Sequence, residues 1–364
     1  MRIGIVCFPT YGGSGIIATE LALNLANRHE VHLVSYDQPV RLEEADFSFH
    51  KVELYKYYVF EAIPCCYTLA LTSKLTEIIE SHDLDLIHAH YAVPNSVSAY
   101  LAKKISGDRV KVITTLHGTD SYLVGSHPSY KEVTQFSIQQ SDGLTAVSKY
   151  LKDRTLDEFD ITREITVIPN FVDSRRFRKT REGNDRKIVC HSSNFRPIKR
   201  IPDIIRAFKI ISEEIDSELL LIGDGPQRPE AETLARSLGL SDAVRFMGNV
   251  RDVHEILGKC DLFLLPSEDE SFGLAALEAM SCEVPVVASN VGGLKELITN
   301  GVDGYLVKVG DSQALAEQSI KILSDSKLQN ELGQNARKKI RGKYTPEIVV
   351  PRYEKLYNEV LGKT

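Results

Sequence analysis

Two glutamates eight residues apart, Glu270 and Glu278, are the most pointed chemical feature of this 364-residue sequence. They stand in SEDESFGLAALEAM (267–280), directly after the apolar run Leu262–Pro266. Eight residues is a little over two turns of helix, so both carboxylates can address one side. Glu278 sits among Ala275, Leu277 and Met280, where a purely structural helix favours an apolar residue. A carboxylate accepting two ribose hydroxyls accounts for it. Ser271, Phe272, Gly273 and Leu274 are expected to form the first helical turn, whose unpaired amides can meet a phosphate. A second cluster, SNFRPIKR (193–200), places Arg196, Lys199 and Arg200 in five residues after another apolar run. Arginine binds phosphate oxygens bidentately and lysine as a point charge, so a pyrophosphate suits this loop. The plainer alternative is a solvated basic turn.

Three further clusters lie in the first half. Gly12–Gly15 separates a strand-like run from a helical one, so Gly13 and Ser14 can offer backbone amides to an anion. The spacing Gly13-x-Gly15-x-x-Ala18, with Asp37 downstream, also fits a dinucleotide fingerprint, and a bare tight turn explains the glycines equally. His88-Ala89-His90-Tyr91 and Thr115-Leu116-His117-Gly118-Thr119-Asp120 each end an apolar run. Asp120 is positioned to orient His117. His88 and His90 share a strand face, but no third ligand accompanies them, and no metal site is expected.

The elements that must hold these residues alternate along the chain. Apolar runs at Arg2–Phe8, Val31–Tyr36, Leu86–His90, Lys111–His117, Gly143–Val147 and Ile165–Pro169 are interleaved with helical stretches such as Ile16–Arg28. Continuous apolar strands imply burial on both faces, hence a parallel sheet under helices. The charged stretch DSRRFRKTREGNDR (173–186) interrupts the series. It resumes at Ile188–Ser192, Glu218–Gly223, Arg245–Met247, Leu262–Pro266, Val284–Ser289 and Gly304–Val307. The expected fold class is therefore α/β with two doubly wound Rossmann-like domains. The first covers 1–170 and is joined by a C-terminal helix at 345–364. A linker follows at 171–186, and the second domain covers 187–344. Ligands of such sheets bind beyond the carboxyl ends of the strands, which implies a cleft between facing domains.

Composition sets outer limits. A net charge of −6 gives no reason to expect nucleic acid or an anionic membrane as partner. No stretch approaches the roughly 20 apolar residues of a membrane span, and no signal peptide is legible, so a cytoplasmic protein is expected. Cys7, Cys65, Cys66, Cys190, Cys260 and Cys282 form no C-x-x-C pair. They read as buried, reduced thiols, with Cys65–Cys66 the one candidate reactive pair.

The ordered set of motifs resembles the retaining glycosyltransferases of family 4, which have the GT-B fold. Glu270 through Glu278 matches that family's E-x7-E motif. Gly12–Gly15, His117–Asp120, Pro169–Asp173, Ile222–Pro226, Gly292-Gly293-x-x-Glu296 and Gly301-x-x-Gly304-Tyr305-Leu306-Val307 recur in register with it, over nearly the whole chain. CFPTYGGSGIIATELA, SYDQPVRL, HAHYAVPNSVSAYLA, TTLHGTDSYLVG and SNFRPIKR resemble the branch that makes N-acetylglucosaminyl-malate for bacillithiol biosynthesis. Three positions depart from the broad pattern. Asn194 stands where arginine is usual, with Arg196 two residues on. Phe171 replaces a glycine, and Lys295 replaces a proline.

The resemblance implies a retaining transfer of N-acetylglucosamine from UDP-N-acetylglucosamine to the hydroxyl of L-malate, with no cofactor and no metal. His117, Glu270, Arg196 and Lys199 would be catalytic. Gly13, Ser14, Ser271–Leu274 and Glu278 would join Arg196 and Lys199 in holding the donor. Ser14, Arg41, Tyr91 and Thr115 would hold the acceptor. No stable membrane association is implied, and homo-oligomerisation is left open. Three other readings compete: a related enzyme with an inositol phosphate, glycan or lipid acceptor; an NAD-dependent oxidoreductase resting on the first glycine loop; and a non-catalytic sugar-nucleotide-binding module.

Overall fold

The computed structural model describes residues 1–9, 12–42, 47–54, 66–180 and 186–363, and Cys65 and the side chain of Cys66 fall outside that description. The chain divides into two compact units, residues 1–169 with 349–364, and residues 170–348.

In the first unit the strands are β1 (Arg2–Val6), β2 (Glu30–Ser35), β3 (Ser48–Lys51), β4 (Leu86–His90), β5 (Lys111–Leu116), β6 (Gly143–Ala146) and β7 (Thr166–Val167). They form one parallel sheet in the order β3-β2-β1-β4-β5-β6-β7. The inner strands are buried along almost their whole length, as their continuous apolar runs require. β3 is the strand the sequence reading lacks. Its four residues, SFHK, sit at the sheet edge and are half-buried or exposed, so no apolar run announces them.

The second unit contains β8 (Lys187–Ser192), β9 (Ser217–Ile222), β10 (Val244–Gly248), β11 (Leu262–Leu265), β12 (Val286–Ser289) and β13 (Tyr305–Val307). These give a parallel sheet in the order β10-β9-β8-β11-β12-β13. The helix Ile201–Glu214 covers β8 and β9 with Ile201, Ile204, Ile205, Phe208 and Ile211, a stripe at helical spacing that is fully buried. Each such side chain contributes about 1.5–3 kcal/mol by leaving water.

The strand order in both units reverses beside the first strand. Loops on either side of that reversal diverge and leave a crevice at the carboxyl edge of the sheet. In the first unit those loops follow β1 and β4. In the second they follow β8 and β11. All the glycine, histidine, basic and glutamate clusters singled out in the sequence follow a strand at one of these edges or the next.

The stretch expected to be a linker begins inside the second unit. Phe177 is buried, Ser281 Oγ donates to its carbonyl, and Arg337 donates to the carbonyls of Phe177 and Ser174. Its charge run hides this one aromatic anchor. Residues 181–185 lie outside the described residues. The helix Pro346–Leu361 carries the chain back to the first unit, where Tyr357 Oη meets His88 Nδ1 at 2.7 Å and Arg352 donates to Val167 O. Cys7, Cys190, Cys260 and Cys282 are free and buried, and burial pushes the Cys7 thiol up to about 12. Among the described residues no helix is long and apolar enough to cross a membrane.

Candidate active site

The second unit brings its predicted residues together. The basic loop after β8 and the glutamate loop after β11 are tied by the Glu268 N–H donating to Ile198 O at 2.8 Å. Lys199 Nζ meets Glu270 Oε1 at 2.5 Å, and Ser267 Oγ donates to the same oxygen at 2.9 Å. The three cations of the loop are employed differently. Arg200 holds Asp203 at 2.6 Å inside its own helix start, and Lys199 holds Glu270. Arg196 is exposed and has no ion pair among the described residues.

Two glycine loops press the main chain of this site into place. Gly223 has φ +118, and a Cβ there would lie 1.8 Å from Ser193 O. Gly225, at φ +156, would put one 2.0 Å from Asn194 O. Behind the glutamate loop, Gly292 packs so closely that a Cβ would lie 2.1 Å from Glu270 O, while the Gly293 N–H donates to that oxygen at 2.8 Å. Only residues without a Cβ permit these approaches. Asn194, in the position where arginine is usual, has its Oδ1 buried with no partner among the described residues.

The helix after β11 begins later than expected. It spans Leu274–Ser281, and Gly273, with φ +96, caps it without a side-chain bond. Ser271 and Phe272 therefore belong to the loop, not the first turn. The Phe272 side chain is core, edge-to-face with Tyr344 at 5.9 Å. The amides of Leu274, Ala275 and Ala276 precede the first intrahelical bond, Leu277 N–H to Gly273 O, and form the positive end of the helix. Glu278 sits one turn in and is only 4 % exposed.

The first unit places a different kind of cluster at its sheet edge. The helix Gly13–Ala26 has no acidic residue in its first turn, so no carboxylate there competes with an anion for its amides. Beside it, Tyr91 adopts φ 90, a conformation costing about 1–3 kcal/mol for a residue with a Cβ. Its amide donates to Thr115 O, and its ring stacks on His117 at 5.6 Å and meets Phe8 edge-on at 5.3 Å.

His117 is held by two neighbours. Its amide and that of Gly118 donate to Asp120 Oδ1, and Ala92 N–H donates to Asp120 Oδ2. Asp120 thus orients the His117 backbone, not its ring. The ring is fixed by His90, whose Nδ1 lies 2.9 Å from His117 Nε2. His90 Nε2 is buried with no partner among the described residues. A stranded lone pair costs less than a stranded N–H, so His90 Nδ1 is the donor and the proton of His117 sits on Nδ1. Burial holds His117 down to about 3, so its ring is neutral at neutral pH. No described residue bonds to Nδ1, leaving it as a directed donor.

One residue expected to hold the acceptor falls elsewhere. Thr115 is fully buried, and its hydroxyl is engaged by His88 Nε2 and Thr145 Oγ1, both at 2.6 Å, so it braces the sheet and does not face an acceptor. His88 has both ring nitrogens occupied, which removes the His88/His90 pair from metal chemistry. Arg41 is 5 % exposed and lies 3.5 Å from Glu20, a residue of the helix that begins at Gly13. Asp37, on which the dinucleotide reading depends, is exposed and drawn to Lys51. The sequence reading does not pair His90 with His117, although His90 ends β4 in register with Thr115 of β5 and His117 follows two residues later.

Comparison with known proteins agrees with this arrangement. Residues 173–339 match the family model "Glycosyl transferases group 1", and residues 11–176 match "Glycosyltransferase Family 4". The chain is 42% identical to the N-acetyl-alpha-D-glucosaminyl L-malate synthase of Bacillus anthracis, over 99% of this chain and 97% of that protein. It is 30% identical to an uncharacterized glycosyltransferase of Methanocaldococcus jannaschii, over 98% and 97%. Among solved structures, Anabaena HepE in complex with UDP and glucose superposes with a TM-score of 0.83 at 20% identity, covering 98% of both chains. Sucrose-phosphate synthase from Thermosynechococcus elongatus gives 0.82 at 21% identity, over the full length of both. The chain belongs to the family-4 glycosyltransferases, with the GT-B fold.

Proposed function

We propose that this hexosyltransferase moves N-acetylglucosamine from UDP-N-acetylglucosamine to the hydroxyl of L-malate, with retention at the anomeric carbon. The observation that carries the reading is the 42% identity, along the whole chain, to an enzyme named for that product. A cytoplasmic enzyme fits a sugar nucleotide and a dicarboxylate as substrates.

The chemistry asks for stabilisation of a departing diphosphate. Arg196, exposed and unpaired among the described residues, is free to meet it, joined by Lys199 and the amides that open the helix at Leu274. Before the donor arrives, Glu270 neutralises Lys199. The donor phosphates take over that lysine and release Glu270 toward the sugar hydroxyls. Glu278 accepts the ribose hydroxyls. In the first unit, the Nδ1–H of His117 donates to a donor-sugar oxygen. Gly13 and Ser14, with Tyr91 and Arg41, receive the negatively charged acceptor. The bond from the anomeric carbon to the phosphate oxygen breaks, the malate oxygen bonds to that carbon from the same face, and its proton passes to the departing phosphate. No divalent ion takes part in these steps.

The test is UDP release from UDP-N-acetylglucosamine with and without L-malate, with the product weighed by mass spectrometry. Malate-dependent release of UDP with a one-to-one adduct is expected. Intact UDP binding with no response to malate would keep the family and discard the acceptor.

A further inference from the structure

The first unit carries a second histidine cluster, away from the carboxyl edge of its sheet, that the transfer reaction does not use. His32 lies near the start of β2, His50 on the edge strand β3, and His82 in the last turn of the helix Cys66–His82. His32 pairs in register with Ser48, and Val34 with His50, so His32 and His50 project from the same face. His32 Nδ1 is 2.9 Å from His50 Nε2, and the rings of His32 and His82 have centroids 4.3 Å apart. One ring nitrogen from each of the three lies within 4.8 Å of the others.

We propose that His32, His50 and His82 form a binding site for a divalent transition metal ion of the zinc class, one that clamps the edge strand and the end of the covering helix onto the sheet. Tetrahedral zinc holds its nitrogens about 3.4 Å apart at the usual bond length, a spacing these rings reach by small rotations. The fourth position is left to water.

The surroundings favour a cation. His32 Nε2 lies 3.1 Å from Glu30 Oε1. A carboxylate accepts only, so His32 carries its proton on Nε2 and presents the Nδ1 lone pair inward. That is the carboxylate–histidine–metal arrangement in which the outer group fixes the tautomer and raises ligand basicity. In the metal-free state His50 Nε2–H must then donate to His32 Nδ1. Metal binding moves that proton to His50 Nδ1, a tautomer exchange with no net proton released. His82 makes no hydrogen bond among the described residues and closes the helix, where the partial negative charge of the helix end adds attraction. Lys74 also faces the cluster but is matched by Glu77 at 2.7 Å. With Glu30 the fixed surroundings are net negative.

The test uses the full chain, with any affinity tag removed and metal stripped by chelator. Titration with zinc chloride against a chromophoric competitor is expected to give one equivalent bound, with a Kd of about 1 µM or tighter. Cobalt(II) should give the intense visible bands of a tetrahedral site in the unsubstituted protein. His50→Gln and His82→Gln should each weaken zinc binding by about 100-fold, and Glu30→Gln by about 10-fold. UDP binding in these variants should be unchanged, and an unaltered circular dichroism spectrum reports that they are folded. Absence of saturable zinc binding, or an equivalent that survives His32→Gln/His50→Gln/His82→Gln, would overturn the site. Neither result touches the transfer reaction, which is read separately.

Discussion

The two units present polar residues at equivalent edges of nearly equivalent sheets, yet use them differently. In the second, the charged groups stand in loops: Lys199 on Glu270, Arg196 exposed, and a main chain squeezed into position by Gly223, Gly225 and Gly292. In the first, His88, His90 and Thr115 lie inside the sheet, where His88 bonds Tyr357 and Thr115, Thr115 also bonds Thr145, and His90 bonds His117. One unit therefore keeps its polarity available for a ligand. The other spends much of it inside the sheet, with His90 fixing the ring of His117.

The largest effect that would test this contrast is at the glycines. Gly223→Ala puts a Cβ 1.8 Å from Ser193 O at φ +118, so the basic loop must move. UDP affinity should fall by at least about 100-fold, with stability lowered by about 4 kcal/mol or more. Gly107→Ala in the first unit, also at positive φ but with nothing within 4 Å, should cost only about 1 kcal/mol. Calorimetric UDP titration and thermal unfolding read both. Similar effects at the two glycines would remove the idea of a squeezed loop.

Acid should separate the units next. His88 and His117 are both held down to about 3, His90 lies well below the ordinary value, and His191 in the second unit is at about 4, all chiefly through burial. A folded-state value below the unfolded one means the unfolded chain binds more protons. The neutral buried ring costs nothing above about pH 6.5, and stability falls as pH drops from there toward the folded values. Each such histidine loses about 1.4 kcal/mol per pH unit across that window. With three of them, β4 and β5 should lose hydrogen-exchange protection, corrected for intrinsic rate, at higher pH than β8 and β11. Simultaneous loss, or earlier loss in the second unit, would show that the histidine network is not what sets acid stability.

A smaller, purely catalytic effect belongs to Arg196. Because it is exposed and unpaired among the described residues, Arg196→Ala should leave the melting temperature unchanged. Turnover should fall by about 10²–10³-fold, about 3–4 kcal/mol of transition-state stabilisation, with less change in donor KM. An unaltered rate would hand the diphosphate to Lys199 and the helix amides alone.

How much of this the sequence reveals follows the same division. Inner strands are legible because burial on both faces demands unbroken apolar runs, and Leu86–His90 is found to the residue. The edge strand β3 is not, because SFHK is half in solvent and carries no unbroken apolar run. The basic and glutamate loops are legible because charges there have no packing role. The helix start is misread by three residues, since Ser271 and Phe272 carry no marker that separates them from a first turn, whereas the glycine after them does. Thr115 is misread for a related reason. A threonine at the end of a strand looks the same whether it faces a ligand or a buried histidine from another strand, and only the fold pairs His88 with it.

That last point sets the finest test. Thr115→Val keeps the shape and removes the hydroxyl, leaving His88 Nε2 and Thr145 Oγ1 each short of one partner in a fully buried place. The cost should be about 1–3 kcal/mol of stability, the penalty for unsatisfied buried polar groups. Malate KM should stay within about twofold, because the residue acts on the sheet and not on the acceptor. Thermal unfolding and initial rates at varied malate separate the two. A raised malate KM in a protein of unchanged stability would return Thr115 to the acceptor site, and the first unit would then expose more of its polarity to ligand than its hydrogen bonds imply.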